Sequence, residues 1–313
     1  MKPIVTLTLN PSIDVTAEAD VVQHTHKIRV SDAQSDPGGG GLNVTRVIND
    51  LGGSSVALYL SGGTTGQMLD EILGERGIPR RRINIEQSTR VCNLIYERST
   101  GLEYRFIPEG PVVSELEWKR CLLVLRDLEW DWVVGSGSLP RGIPADFYAE
   151  LSKVVQARGG NLVLDTSGKP LELALEYGGI TLFKPSEGEF AKLVGRPLPT
   201  NDDMIVAAKE MIGTGRVKII AITMGGDGAL LVTANNHVFL KAPPVEVKSA
   251  SGAGDSFVGG MVYGLASGLT PEDAFRLGVA SGTASVMMPG TQLCRKEDVD
   301  RILEEIGAHH NNW

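Results

Sequence analysis

The chain has 313 residues, 42% hydrophobic but only 5% aromatic, with 38 glycines and a formal net charge of −8. That length can bury roughly 75% of the unfolded surface, enough for one large domain or two. The acidic balance and the lack of any long Lys/Arg run argue against nucleic acid or an anionic membrane as partner, and no apolar run approaches the length of a membrane span.

Residues 4–9 read as a buried strand closed by Asn10-Pro11, with no signal peptide ahead of it and Asp14 just after it. Residues 15–36 alternate weakly and carry His24, His26, Lys27 and Arg29, which suits an exposed sheet or flap better than a core strand. Asp36 to Val44 is a glycine loop, and Val44, Val47, Ile48 and Leu51 then follow helical spacing up to Gly52-Gly53. A strand over 56–60, a helix over 66–76 and a hairpin over 90–107 come next. From Glu115 on, helices near 144–158, 170–177 and 202–213 alternate with strands at 133–134, 162–164 and 217–223. This rhythm predicts an α/β fold, a parallel sheet flanked by helices, with a small β lid from about 14–36 and 89–108 on one domain spanning 1–313. A helical block over roughly 254–306, interrupted near Pro289-Gly290, ends the chain, and His309 to Trp313 read as a frayed tail.

Several chemistries are excluded. The chain has no GxxxxGK[ST], no GxGxxG after a strand, no GxSxG and no HExxH. Its five histidines form no ligand set, so any metal must use oxygen ligands, which points to magnesium held largely by phosphates. Cys92, Cys121 and Cys294 are odd in number and form no CxxC pair, which fits reduced thiols and a cytoplasmic location.

One stretch carries chemistry of its own. Ser249 to Ser256 reads as a loop entering a helix, because Phe257, Met261 and Leu265 recur every four residues and Gly268 offers a stop. Gly252, Ala253 and Gly254 let a ligand approach the backbone, and free N–H groups at a helix start attract anions. Asp255 lies in the same turn, where it either caps the helix or takes a proton from an attacking hydroxyl.

The two glycine loops together resemble the two signature regions of the ribokinase-like (PfkB) family of sugar kinases. The resemblance runs from Thr6 to Cys294. Within the family it is nearest to the minor-type bacterial 6-phosphofructokinases, through Pro37 to Val44, Tyr104-Arg105-Phe106, Gly137 to Pro140 and Gly290 to Cys294. The related 1-phosphofructokinases and tagatose-6-phosphate kinases usually carry Lys where this chain has Gly40.

The resemblance implies ATP-dependent phosphorylation of the 1-hydroxyl of fructose 6-phosphate, chiefly by positioning and charge neutralisation. It makes Asp255 the proton acceptor and Gly252, Ala253 and Gly254 the donors to the moving phosphoryl group. It assigns Asp14, Gly39 and Asn43 to the sugar, and Arg90, Lys27, Arg29, Arg105 and Ser138 to the sugar phosphate. On the nucleotide side it implies Lys184, Ser186 and Glu189, with Ser186 replacing the family's Asn and Glu189 organising water around Mg2+. Thr223, Gly225 and Gly228 would line phosphates and ribose, and Val247, Val279 and Thr283 would wall the adenine. Ser249, Ser251, Ser285 and Gly290 match positions that hold a monovalent cation, K+, in family members.

The lid's apolar residues, Val91, Leu94, Tyr96, Tyr104 and Phe106, predict a homodimer joined through the lids. The rival readings are a tagatose-6-phosphate kinase or 1-phosphofructokinase and, from another class, a non-catalytic sugar-phosphate sensor, for which the Ser186 departure is the only support.

Overall fold

A computed structural model describes residues 2–310, without the side chains of 308–310. The tail expected over 309–313 therefore lies outside the described residues, except that the last helix runs to His310. The chain opens with β1 (Ile4–Thr8), β2 (Ser12–Ala19), β3 (Val30–Gly38), α1 (Gly40–Asp50), β4 (Ser55–Gly62), α2 (Gly63–Glu75) and β5 (Arg80–Ile85). There follow β6 (Arg90–Glu97), β7 (Leu102–Phe106), α3 (Glu115–Asp127), β8 (Trp132–Ser136), α4 (Phe147–Gln156), β9 (Asn161–Asp165), α5 (Lys169–Tyr177) and β10 (Ile180–Phe183). The last part holds α6 (Glu187–Val194), α7 (Asn201–Gly213), β11 (Val217–Thr223), β12 (Ala229–Thr233), β13 (His237–Leu240), α8 (Ala253–Ala266), α9 (Pro271–Val286) and α10 (Lys296–His310).

Nine strands form one sheet in the order β13-β12-β11-β10-β9-β8-β1-β4-β5. Its inner strands are buried on both faces because they alternate between two cores. Val133 belongs to the core that takes in α3, α4 and α7, and its neighbour Val134 to the core that takes in α1, α8 and α9. The sheet is parallel from β5 to β11 but not throughout: β12 returns antiparallel to β11, and β13 to β12. The turn at Gly225–Asp227 is tight enough for a hairpin, so no crossover helix is needed there.

The expected small sheet is present, with four strands in the order β3-β2-β6-β7. β2 pairs antiparallel with β3 and parallel with β6, and β6 pairs antiparallel with β7. One correction concerns its apolar residues. Leu94 is already buried within the chain, and Val91 packs against the cluster of Ile13, Tyr59 and Leu69, so neither is free to cover a partner. Tyr96, Leu102 and Phe106 do remain exposed. Two further departures are local: α2 begins at Gly63 rather than 66, and the arginine-rich β5 was not legible as a strand at all.

Candidate active site

The carboxyl ends of β1, β8, β9, β10 and β11 converge where an open α/β sheet places its ligands. Asp165 ends β9, Ser136 ends β8, and Lys184 follows β10 directly. Above them α8 begins at Ala253, with Gly252 as its N-cap in the left-handed conformation at φ 76°. Gly252 also faces Leu293 so closely that a Cβ there would lie 2.6 Å from Cδ2, so space and dihedral both demand glycine. The first intrahelical bond of α8 runs from Ser256 N to Gly252 O, which leaves the preceding N–H groups for an anion.

Asp255 sits in this first turn. Asn43, in the first turns of α1, donates from Nδ2 to Asp255 Oδ2 at 2.9 Å. Burial and the neighbouring carboxylate of Asp165 push Asp255 up to about 6, against the opposing pull of Asn43 and Lys184. A carboxyl with that affinity is ionised at neutral pH and still basic enough to accept a proton. Gly252 is the N-cap of α8 and Asp255 its third residue, so Asp255 is not the helix cap.

Beneath it, Lys184 Nζ lies 3.2 Å from Asp165 Oδ1, with both side chains shielded. A Cβ on Gly254 would lie 3.4 Å from Lys184 Nζ, so the ammonium underlies the helix start and adds its charge to the anion site. Burial works against the charged form of Lys184, but Asp165, joined by Asp255 and Glu189, raises the group above its ordinary value. A cavity of about 490 Å3 opens here, lined by Gly40, Ser136, Ser138, Asp165, Glu189 and Asp255 among others. Gly40 matters for its shape: a Cβ there would fall 2.1 Å from Ser136 Oγ and 3.0 Å from Asp255 Oδ1.

Asp14 reaches the site from the small sheet. Its carboxylate accepts from Ser12 Oγ at 2.6 Å and fills the space where a Gly38 Cβ would be, 2.3 Å away. Burial raises its pKa, with Ser12 and Arg90 opposing. Arg90 stands beside it on β6, because Ser12 pairs with Arg90 and Asp14 with Cys92. Its Nη1 and Nη2 donate to Pro108 O and Asn10 O, each at 2.8 Å, while Nε is buried without a partner. Ser138 accepts from Asn10 Nδ2 at 3.2 Å. Gly39 caps α1 and accepts from Asn43 N at 3.0 Å.

Three of the expected cations do not join this group within one chain. Lys27 and Arg29 lie on the exposed connection beyond Ala19, and five strand residues from Asp14 amount to roughly 17 Å. That connection is anchored at Glu97, which accepts from Val22 N, Ser99 Oγ, Thr100 Oγ1 and Tyr104 OH, bonds that hold its carboxyl down to about 2. Arg105 shares the face of Asp14 but sits two strands away, ion-paired to Glu103.

On the nucleotide side, Ser186 and Glu189 form a reciprocal capping box that starts α6. Ser186 also bridges to Thr223, whose N donates to Pro185 O at 2.9 Å. Gly225 and Gly228 shape the turn after β11, and Met224 N donates to Gly228 O at 2.9 Å. Val279 and Thr283 are buried on α9, whereas Val247 is 65% exposed and presents an open rim. Lys248 N and Ser249 N both donate to Val286 O, which seams the 247–251 segment to the end of α9. There Ser251 N donates to Ser249 Oγ at 3.1 Å and Ser285 Oγ is buried without a partner; Gly290 approaches Thr16 on the small sheet.

Sequence reasoning missed Asp165, Ser136 and Arg46. Asp165 ends the apolar run Leu162-Val163-Leu164, and a carboxylate at a strand's carboxyl end was the available signal. It also missed Asp36, which is buried and held by Arg76 and by Thr291 Oγ1 at 2.6 Å. These bonds overcome burial and bring its carboxyl below the ordinary value.

A family model described as pfkB family carbohydrate kinase matches residues 7–298. The chain belongs to this family. Membership in the pfkB family brings ATP and a divalent metal with it. This pfkB kinase is 38% identical to an ATP-dependent 6-phosphofructokinase isozyme 2 of Mycobacterium tuberculosis, over 99% of this chain and 93% of the relative. It is 32% identical to a 1-phosphofructokinase of Bacillus subtilis, over 97% of this chain and 98% of the relative. It superposes on the phosphofructokinase-2 of Escherichia coli in complex with fructose-6-phosphate with a TM-score of 0.93, at 34% identity, covering 98% of this chain and 100% of the other. That E. coli protein has also been crystallised in complex with potassium.

Proposed function

We propose that the chain is an ATP-dependent 6-phosphofructokinase, transferring the γ-phosphate of ATP to the 1-hydroxyl of fructose 6-phosphate to give fructose 1,6-bisphosphate. The observation that carries the reading is the seat of Asp255. A carboxylate tuned to about 6 lies beside free helix N–H groups, with the sugar-side residues Asn43 and Asp14 within its electrostatic surroundings. Asp255 accepts the proton of the 1-hydroxyl as that oxygen attacks, while N–H groups at the start of α8 and the Lys184 ammonium receive the charge on the transferred group. Asp14 accepts hydrogen bonds from sugar hydroxyls, and Arg90, whose buried Nε is unpartnered, faces the sugar phosphate. Gly40 supports the choice of sugar. Its Cβ space is filled by Ser136 Oγ, so the lysine that related kinases carry there would not fit this pocket unless Ser136 moved.

Magnesium accompanies the nucleotide, neutralising phosphate charge. Among the described residues no group of three or more Asp, Glu, His or Cys side chains could hold a metal, which fits an ion bound chiefly by phosphates and reached by Glu189 and Asp165 through water. The buried, unpartnered Ser285 hydroxyl fits a monovalent cation held with Ser249, Ser251 and Gly290.

The same reading makes the small sheet, 14–36 with 89–108, a lid on a single domain and joins two chains through their lids. The exposed Tyr96, Leu102 and Phe106 support that contact, and lid pairing would carry Lys27 or Arg29, which lie too far from their own Asp14, toward the partner's site. A monomeric mass at micromolar concentration with full activity would rule the dimer out. A cytoplasmic location goes with this reading; among the described residues no helix is long and apolar enough to cross a membrane, and the three cysteines are free and buried.

The deciding experiment measures ADP release with fructose 6-phosphate, tagatose 6-phosphate and fructose 1-phosphate side by side. The largest kcat/KM is expected for fructose 6-phosphate. Preference for another sugar would move the assignment to the corresponding kinase, and binding without ADP release would make the chain a sensor.

A further inference from the structure

A buried arginine stands directly behind the Asn43–Asp255 contact. Arg46 lies on α1 and is only 7% exposed, although its neighbours Val44, Val47 and Ile48 belong to an apolar core. Its Nη1 donates to Asn43 Oδ1 at 3.1 Å and to Pro37 O, at the entry of the glycine loop, at 3.2 Å. Among the described residues it is the one side chain that donates to Asn43 Oδ1. Asp36, Asp50 and Asp14 surround the guanidinium with negative charge, and Arg76 adds one positive neighbour.

We propose that Arg46 is a positioning residue for the proton-accepting step, acting through Asn43; the proposal rests on Asp255 being the base. The oxygen and the NH2 of an amide have nearly the same shape, so the Asn43 pocket accepts either orientation sterically. Arginine only donates, so it selects the orientation with Oδ1 toward itself and Nδ2 toward Asp255. That choice matters most when Asp255 is protonated. A protonated carboxyl could donate to Oδ1 if the amide turned over, and the protonated form would then be favoured. Arg46 blocks this turn and keeps Asp255 in the form that accepts a proton. The other charged groups facing Asp255, namely Asp165 at the end of β9, Lys184 after β10 and Asp14 on β2, set its overall affinity but do not contact Asn43 Oδ1.

The test compares the pH profile of kcat for Arg46→Lys, Arg46→Met, Asn43→Ala and the double variant Arg46→Met/Asn43→Ala with the parent. In Arg46→Met the acid limb should move up by about one pH unit, so kcat at pH 6 falls about fivefold and at pH 5 nearly tenfold, while kcat at pH 8 falls less than about threefold. KM for ATP should stay unchanged. In the Asn43→Ala background the Arg46 change should move the limb no further. Carbon-13 NMR titration of Asp255 should move in the same direction, which reads the effect without turnover. If the parent fails to phosphorylate fructose 6-phosphate, the proposed function falls, and the Asp255 titration still decides this inference. A folded Arg46→Met protein with an unmoved limb and titration would overturn it. So would a shift that persists without Asn43, or loss of fold in both Arg46→Met and Arg46→Lys, since Arg46 would then serve packing alone.

Discussion

Lys184 Nζ and Asp165 Oδ1 lie 3.2 Å apart at the floor of the site, directly under the start of α8. Neither charge is used up by the other, because Lys184 also acts on Asp255 and Asp165 raises it. Lys184→Met should therefore do two things. It should raise KM for ATP through loss of the cation under the phosphate site, and it should destabilise the fold by about 3 kcal/mol at neutral pH by stranding Asp165. The sign with pH follows from Asp165, whose folded pKa is already raised by burial and would rise further without Lys184. A group raised in the folded state costs stability as pH increases from its unfolded toward its folded value. The Tm deficit should therefore shrink as pH falls and Asp165 takes up a proton. Thermal melts between pH 4 and pH 8, with Lys184→Met/Asp165→Asn recovering much of the loss, check this.

Asp255→Asn should lower kcat by about 10²–10⁴-fold while both substrates still bind. The parent's kcat should fall on the acid side with a midpoint near 6, as Asp255 protonates. Stability should go the other way. Because the folded pKa is raised from 3.8 to about 6, the ionised carboxyl opposes folding increasingly across that window. Above it the Asn variant should be more stable than the parent by on the order of 1–3 kcal/mol. A folded variant that kept more than about a tenth of its turnover would return Asp255 to a structural role.

Arg90→Ala should raise KM for fructose 6-phosphate about ten- to hundredfold and KM for ATP little, as expected for loss of a charge-assisted phosphate contact. Two of its nitrogens brace Pro108 O and Asn10 O, so Arg90→Lys, which cannot keep that fork, should recover little. Equal weakening of both substrates would point to damage to the braced loops instead.

Ser186 and Glu189 share one capping box, and two substitutions separate its parts. Ser186→Ala removes the acceptor for Glu189 N and should lower Tm by about 2 °C with turnover nearly intact. Glu189→Gln keeps an acceptor for Ser186 N but removes the charge that the proposed function assigns to ordering metal-bound water. It should leave Tm close to the parent and reduce kcat. A larger kcat loss from Ser186→Ala would assign the phosphate contact to the serine.

The large sheet was legible because its buried strands, such as Ile4–Thr8 and Val217–Thr223, are short segments rich in Ile, Val and Leu. β5 escaped because Arg80, Arg81 and Arg82 are polar residues on an edge strand, where only one side is paired. The two glycine loops announced Asn43 and Asp255 separately, but their contact across 212 positions belongs to tertiary structure. Asp165 and Arg46 carry no motif. They matter because of what burial places beside them, and a linear pattern does not encode that. Ser186 was read as a weakened ligand, whereas Ser-x-x-Glu was also a legible capping signature.

The small sheet is made from two separate excursions of the chain, and its middle pair joins Ser12 to Arg90 and Ala19 to Glu97. Most neighbours in the large sheet lie closer in sequence, linked by a tight turn or by one or two helices. Distant pairings form slowly, because a long loop must close before any contact repays the lost entropy. In refolding, the helical signal should therefore return first and catalytic competence last. The delay should track the β2–β6 ladder, the part of the fold that brings Asp14 and Arg90 alongside one another.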